Sequence, residues 1–107
     1  MTDLINSLRT APGVLRLGAD GETRLAFRVQ LLDAWETLAV EAPADTPVRV
    51  VKERVVEAIM TAAEDPEEYM VKLGGWEVLD ENQSIAACGA THGSTFLVSG
   101  RRRRPVR

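Results

Sequence analysis

Cysteine is almost missing from this chain: Cys88 stands alone among 107 residues, so no disulfide can close within it. Histidine is also single, at His92. A metal centre needs three or four ligands, and these two residues fall short of that number. A nucleophile–base pair would need Cys88 and His92 to meet. They lie four apart, but Gly89 and the turn signal Thr91-His92-Gly93 break the helix that would align them. Gly74-Gly75 lacks the lysine and the following helix of a phosphate cradle. No catalytic, cofactor-binding or metal-binding residue is therefore expected, and the chain reads as a non-enzyme. No apolar run approaches the roughly 18 residues of a membrane span. The start, Met1 to Thr10, lacks the basic stretch and apolar run of a signal peptide. The expected location is the cytoplasm.

Lysine is scarce too, with only Lys52 and Lys72, and arginine supplies the other basic residues. The net charge of −3 hides an asymmetry. Five arginines fall at Arg101, Arg102, Arg103, Arg104 and Arg107, leaving eight basic against sixteen acidic residues over 1–100, a net −8. The length suits one domain. Three parts are read: 1–23 as an N-terminal arm or an extra hairpin strand, 24–100 as the folded domain, and 101–107 as an arginine-rich tail.

The longest periodic stretch is Thr46 to Ala63. Val48, Val51, Val55, Ile59 and Ala62 recur at helical spacing, while Arg49, Lys52, Glu53 and Glu57 are assigned to the opposite face. Asp45 or Thr46 offers an N-cap, and Pro47 suits the first helical position. Five valines are poor helix formers, so burial against a sheet must hold this helix.

The strands come from alternation. In residues 24–32, Leu25, Phe27, Val29 and Leu31 point one way, and Arg24, Ala26, Arg28 and Gln30 the other. Asp33-Ala34 is a turn, and Trp35 to Ala42 is the return strand of a hairpin, with Leu38 and Val40 inward. Trp35 either caps one end of the core or stands out as an aromatic anchor. After an acidic connector, 64–68, Tyr69 to Leu73 is a third strand with Met70 and Lys72 on its outer side. Gly74-Gly75 turns into a short strand, Trp76 to Leu79. Ser84 caps one helical turn, Ile85 to Cys88, and Ser94 to Ser99 is the last strand, broken by Gly100. Val14 to Leu17 could form a further short strand, and Leu4, Ile5 and Leu8 a turn of amphipathic helix. The expected core is Phe27, Val29, Leu38, Val40, Val51, Val55, Ile59, Val71, Leu79, Ile85, Phe96 and Val98.

Strand, strand, long helix, strand, short strand, helical turn and strand is an α+β order. Residues 35–55 resemble the second strand, loop and helix start of ubiquitin, with a threonine before the helix after a proline- and aspartate-containing loop. Residues 67–101 resemble its second half, with Leu79-Asp80-Glu81 before a polar turn and Ser94-Thr95-Phe96 opening the last strand. The resemblance covers about residues 24–101. It implies a ubiquitin-like β-grasp: a mixed four- to five-stranded sheet packed on one long helix. Conjugated members end in a thin, flexible diglycine tail. Here Gly100 is followed by bulky arginines and Pro105. The second half is similar to bacterial ubiquitin-like proteins of the YukD/EsaB type, which accompany type VII secretion systems and lack the diglycine.

That resemblance implies a non-conjugated protein–protein interaction module and a type VII secretion accessory or regulator. The alternative is a modifier precursor, processed after Gly100 and conjugated by a bacterial ubiquitination-like pathway. The partner is another protein. Trp35, Met70, Lys72 and Trp76 are its expected contacts, on the outer side of the later strands. The arginines of the tail offer a handle for an anionic partner. Nucleic acid is not expected, because the body is acidic and no aromatic residue interleaves the arginines.

Overall fold

The computed structural model describes residues 14–18, 23–60 and 65–100. The expectations for Leu4, Ile5, Leu8, Ala62 and Arg101–Arg107 fall outside them. Among the described residues six strands and one α-helix follow in order: β1 (Val14–Arg16), β2 (Arg24–Leu31), β3 (Glu36–Pro43), α1 (Val48–Met60), β4 (Tyr69–Leu73), β5 (Trp76–Glu77) and β6 (Thr95–Gly100). They form one sheet in the order β1-β3-β2-β6-β4-β5. The sheet is mixed: β1 runs parallel to β3 and β6 parallel to β2, and the remaining neighbours are antiparallel. Six strands replace the expected four to five, because Val14–Arg16 adds an edge strand beside β3. Val14 pairs with Ala39 in a parallel ladder rather than through a hairpin.

The alternation in β2 holds. Phe27, Val29 and Leu31 are buried and Ala26 and Arg28 exposed. Across the sheet centre Phe27 and Phe96 meet edge to face, with ring centroids 5.5 Å apart. Val40, Val71, Ile85 and Val98 join them, and Leu38 and Ile59 pack half-buried at the margin. Leu79 does not. It is 84% exposed, and Val78 is buried in its place. The reason is register. Gly74 and Gly75 both take positive φ, which makes a two-residue hairpin of β4 and β5 and pairs Leu73 with Trp76. Val78 then falls opposite Val71, to whose carbonyl it donates at 2.8 Å, and shares its inward face.

The helix begins one residue later than expected. Pro47 stands before it and bridges to Ser84. The first free N–H groups, on Val48 and Arg49, donate to the backbone carbonyls of Gln83 and Glu81 at 2.9 and 2.8 Å. Loop carbonyls therefore do the work assigned to an Asp45 or Thr46 side chain. Ser84 does cap its own turn, donated to by Ala87 N–H at 3.0 Å, and Gly89 closes that turn at φ 104°.

Lys52 corrects the helix faces. It is 1% exposed, in the apolar stripe with Val48, Val51, Val55 and Val56. Its ammonium donates to the Tyr69 carbonyl at 3.0 Å and sits 2.6 Å from Glu81 Oε1. A buried cation is tolerated when paired and hydrogen-bonded. The pair ties α1 to β4 and to the same 81–84 loop that caps the helix.

Candidate protein-interaction site

Helix α1 covers one face of the sheet. On the other face the register lines up Lys72, Leu97 and Gln30 across β4, β6 and β2, with Met70 beside Ser99 in the next row. Met70, Lys72 and Leu97 are half-buried by their neighbours, and no described element lies over them. Leu97 was missed by sequence reasoning. Setting Phe96 and Val98 in the core already leaves Leu97 outward by strand alternation, and that phase is the signal that finds it.

Trp35 lies at the β2–β3 turn, at the end of the sheet where β6 reaches Gly100. A 3-10 turn over Leu32–Ala34 leads into it. Trp35 is 86% exposed and takes φ 53°, ψ 39°, which makes it the non-glycine residue with positive φ among those described. A bulky residue in that region carries strain of about 1–2 kcal/mol. Its ring stands outside the core, so the core-capping reading does not hold.

Gly100 is part of β6 rather than its breaker. It pairs with Tyr69, and its N–H donates to Asp33 Oδ1 at 3.0 Å. A Cβ added there would lie 2.8 Å from Asp33 Oδ2. Asp33 thus fixes the end of the last strand to the turn that carries Trp35.

Trp76 parts company with Met70 and Lys72. As the cross-strand partner of Leu73 it shares the helix-side face, whereas Lys72 pairs with Glu77 on the outer side. Trp76 is 79% exposed because the hairpin carries it past the core. With Leu73, Val78, Leu79 and Cys88 it lines an open cleft of about 520 Å³. Trp76 therefore does not share the surface of Met70 and Lys72.

Cys88 and His92 do not form a working pair. The Cys88 thiol donates to the Ile85 carbonyl at 3.3 Å. His92 turns to β2 instead, where its Nδ1 accepts from Ala26 N–H at 3.1 Å. Burial pushes the Cys88 pKa above the ordinary 9.0, against the smaller lowering by backbone hydrogen bonds. The thiol therefore stays protonated at neutral pH, and iodoacetamide should alkylate it more slowly in the folded protein than in urea at the same pH. A folded pKa above the unfolded one gives full stability below pH 9.0, lost as pH rises past it. Melting curves at pH 8 and pH 10 should diverge more for the wild type than for Cys88→Ala.

No protein-family profile matches the chain, and no curated protein matches it in sequence. Solved structures do match in shape. The ubiquitin-like domain of an Arabidopsis thaliana protein superposes with a TM-score of 0.64 at 13% identity, over 84% of this chain and 90% of its own. The fold is the ubiquitin-like β-grasp. The C-terminal ubiquitin-like domain of mouse tubulin-specific chaperone e gives 0.64 at 15% identity, covering 83% of this chain and 100% of its own. Ubiquitin from Caldiarchaeum subterraneum gives 0.62 at 16%, covering 75% and 96%. In this ubiquitin-like domain β2 and β3 form the first hairpin, and β1 is a strand added at its outer edge. Among the described residues no helix is long and apolar enough to cross a membrane.

Proposed function

We propose that this ubiquitin-like domain is a non-conjugated protein-interaction module, and that its outer sheet face, Met70, Lys72 and Leu97 with Trp35 at its end, receives the partner. The observation that carries the reading is the fixing of Gly100. A glycine held by Tyr69 and by Asp33 is not the free tail that an activating enzyme needs. A chain cut after Gly100 would also set its new carboxylate near that of Asp33, and like charges repel. Processing and conjugation are therefore disfavoured. The likeness of residues 67–101 to the YukD/EsaB type makes a bacterial type VII secretion accessory or regulator the specific role. The arginines 101–104 and 107 add a handle for an anionic partner, whose grip should weaken steeply with salt.

Trp35 supports the outer-face reading because strain held at an exposed aromatic needs a compensating use. Trp35→Gly removes the strain and should hold the melting temperature or raise it. The same change should remove the protein that co-purifies with the wild type under native conditions. Met70→Glu should do likewise. A partner that survives both changes, or that stays attached after boiling in detergent, would contradict the proposal. The second result would mean a covalent bond.

A further inference from the structure

None of Met70, Lys72 and Leu97 lines the cleft beside Trp76. Leu73 and Trp76 are cross-strand neighbours, and Leu79 joins them from beyond the end of β5. Trp76 and Leu79 are both largely exposed. Such a cluster of large apolar side chains marks a contact surface. Strand β5 is also one of the two edge strands of the described sheet. Val78 turns its N–H to β4, so by the antiparallel alternation the backbone of Glu77 is directed to the open side.

The rim is acidic. Glu77 and Asp80 line the cleft and no lysine or arginine does among the described residues, although Lys72 stands across from Glu77 on β4 and shares its charge. We infer that the cleft beside Trp76 docks an extended peptide of a partner protein, with an aliphatic side chain flanked by basic ones. The peptide adds along the β5 edge as a further strand. Its aliphatic side chain enters between Trp76 and Leu79, on the helix-side face. The residues before and after point to the opposite face, where Glu77 lies across from Lys72. A lysine or arginine there meets Glu77, and one farther along meets Asp80. A second copy of this chain fits worse, because a two-fold pairing of β5 edges would bring the acidic rims of both copies together.

The test uses the full chain carrying Trp35→Phe, so that Trp76 is the remaining tryptophan fluorophore. The probes are an acetylated, amidated Arg-Ile-Arg-Leu-Arg peptide and its counterpart with glutamate for arginine. The basic peptide should blue-shift the emission saturably, and amide NMR shifts should concentrate at residues 73–80. Leu79→Asp should weaken binding about tenfold or more. Glu77→Lys should weaken it roughly two- to fivefold, as expected of a rim charge. The acidic peptide should not bind. No saturable change, equal affinity for both peptides, or shifts confined to Met70 and Leu97 would overturn the inference. The last result would leave the outer-face reading standing. Shifts at 73–80 that grow with protein concentration alone would also overturn it, by assigning the cleft to a second copy.

Discussion

Val55→Asp should leave the chain largely unfolded at room temperature. Val55 is fully buried on the face of α1 that meets the sheet, among the residues that hold Val51 and Val56. The buried cation among the described residues, Lys52, is already engaged with Glu81 and Tyr69. An aspartate there is either a buried, unpaired charge or a carboxyl that must be protonated to stay. Either costs several kcal/mol. Domains of this size are stable by about 5–15 kcal/mol, so one such change removes much of the margin. Far-ultraviolet circular dichroism and a melting curve read the result. Glu57→Lys, on the exposed side of the same helix, should stay within about 0.5 kcal/mol of the wild type. A Val55→Asp protein that melts like the wild type would mean that α1 does not pack through this face.

Glu81→Ala should be nearly as damaging, although it removes only one side chain near the surface. Its carboxylate is what neutralises Lys52, and the two side chains are 11% and 1% exposed. Without it the ammonium keeps the Tyr69 carbonyl but loses its counter-charge in an apolar stripe. Breaking a buried pair from one side costs about 3–5 kcal/mol. Replacing both charges is a different matter. Lys52→Met combined with Glu81→Ala should recover most of that loss, because a thioether chain of similar length fills the same space without needing a partner. Urea denaturation measures both, with the slope unchanged if only stability has moved. A loss below about 1 kcal/mol for Glu81→Ala would show that water reaches Lys52 and that the pair does not hold the helix to the loop.

The order of elements was legible because each rests on a local pattern: alternation in β2, helical spacing in α1, glycines at the β4–β5 turn. The misreadings have local causes as well. Charge alone places Lys52 on the polar face, yet positions 48, 51, 52, 55 and 56 form one stripe, and period outweighs residue type. Leu79 falls in the core only if the short strand runs on through it, and β5 ends at Glu77. The two-residue turn at Gly74-Gly75 already implied Leu73 opposite Trp76 and Val71 opposite Val78, which sends Val78 inward. Val14–Arg16 was readable as a strand, but its parallel partner β3 lies too far along the chain for any short-range signal. The split of the tryptophans is of the same kind. Trp35 and Trp76 look alike as exposed aromatics, and only register puts Trp76 on the face of Leu73 and away from Met70.

A domain that acts by contact keeps its chain continuous through Gly100 and Arg101. The most direct measurement is the mass of the protein recovered from the cells that make it, under denaturing conditions and with fragments covering that junction. If the domain acts by contact, Ser99, Gly100 and Arg101 should remain joined in every recovered species, and no other protein should carry a chain ending at Gly100. A species terminating at Gly100, free or linked to a lysine of another protein, would contradict it.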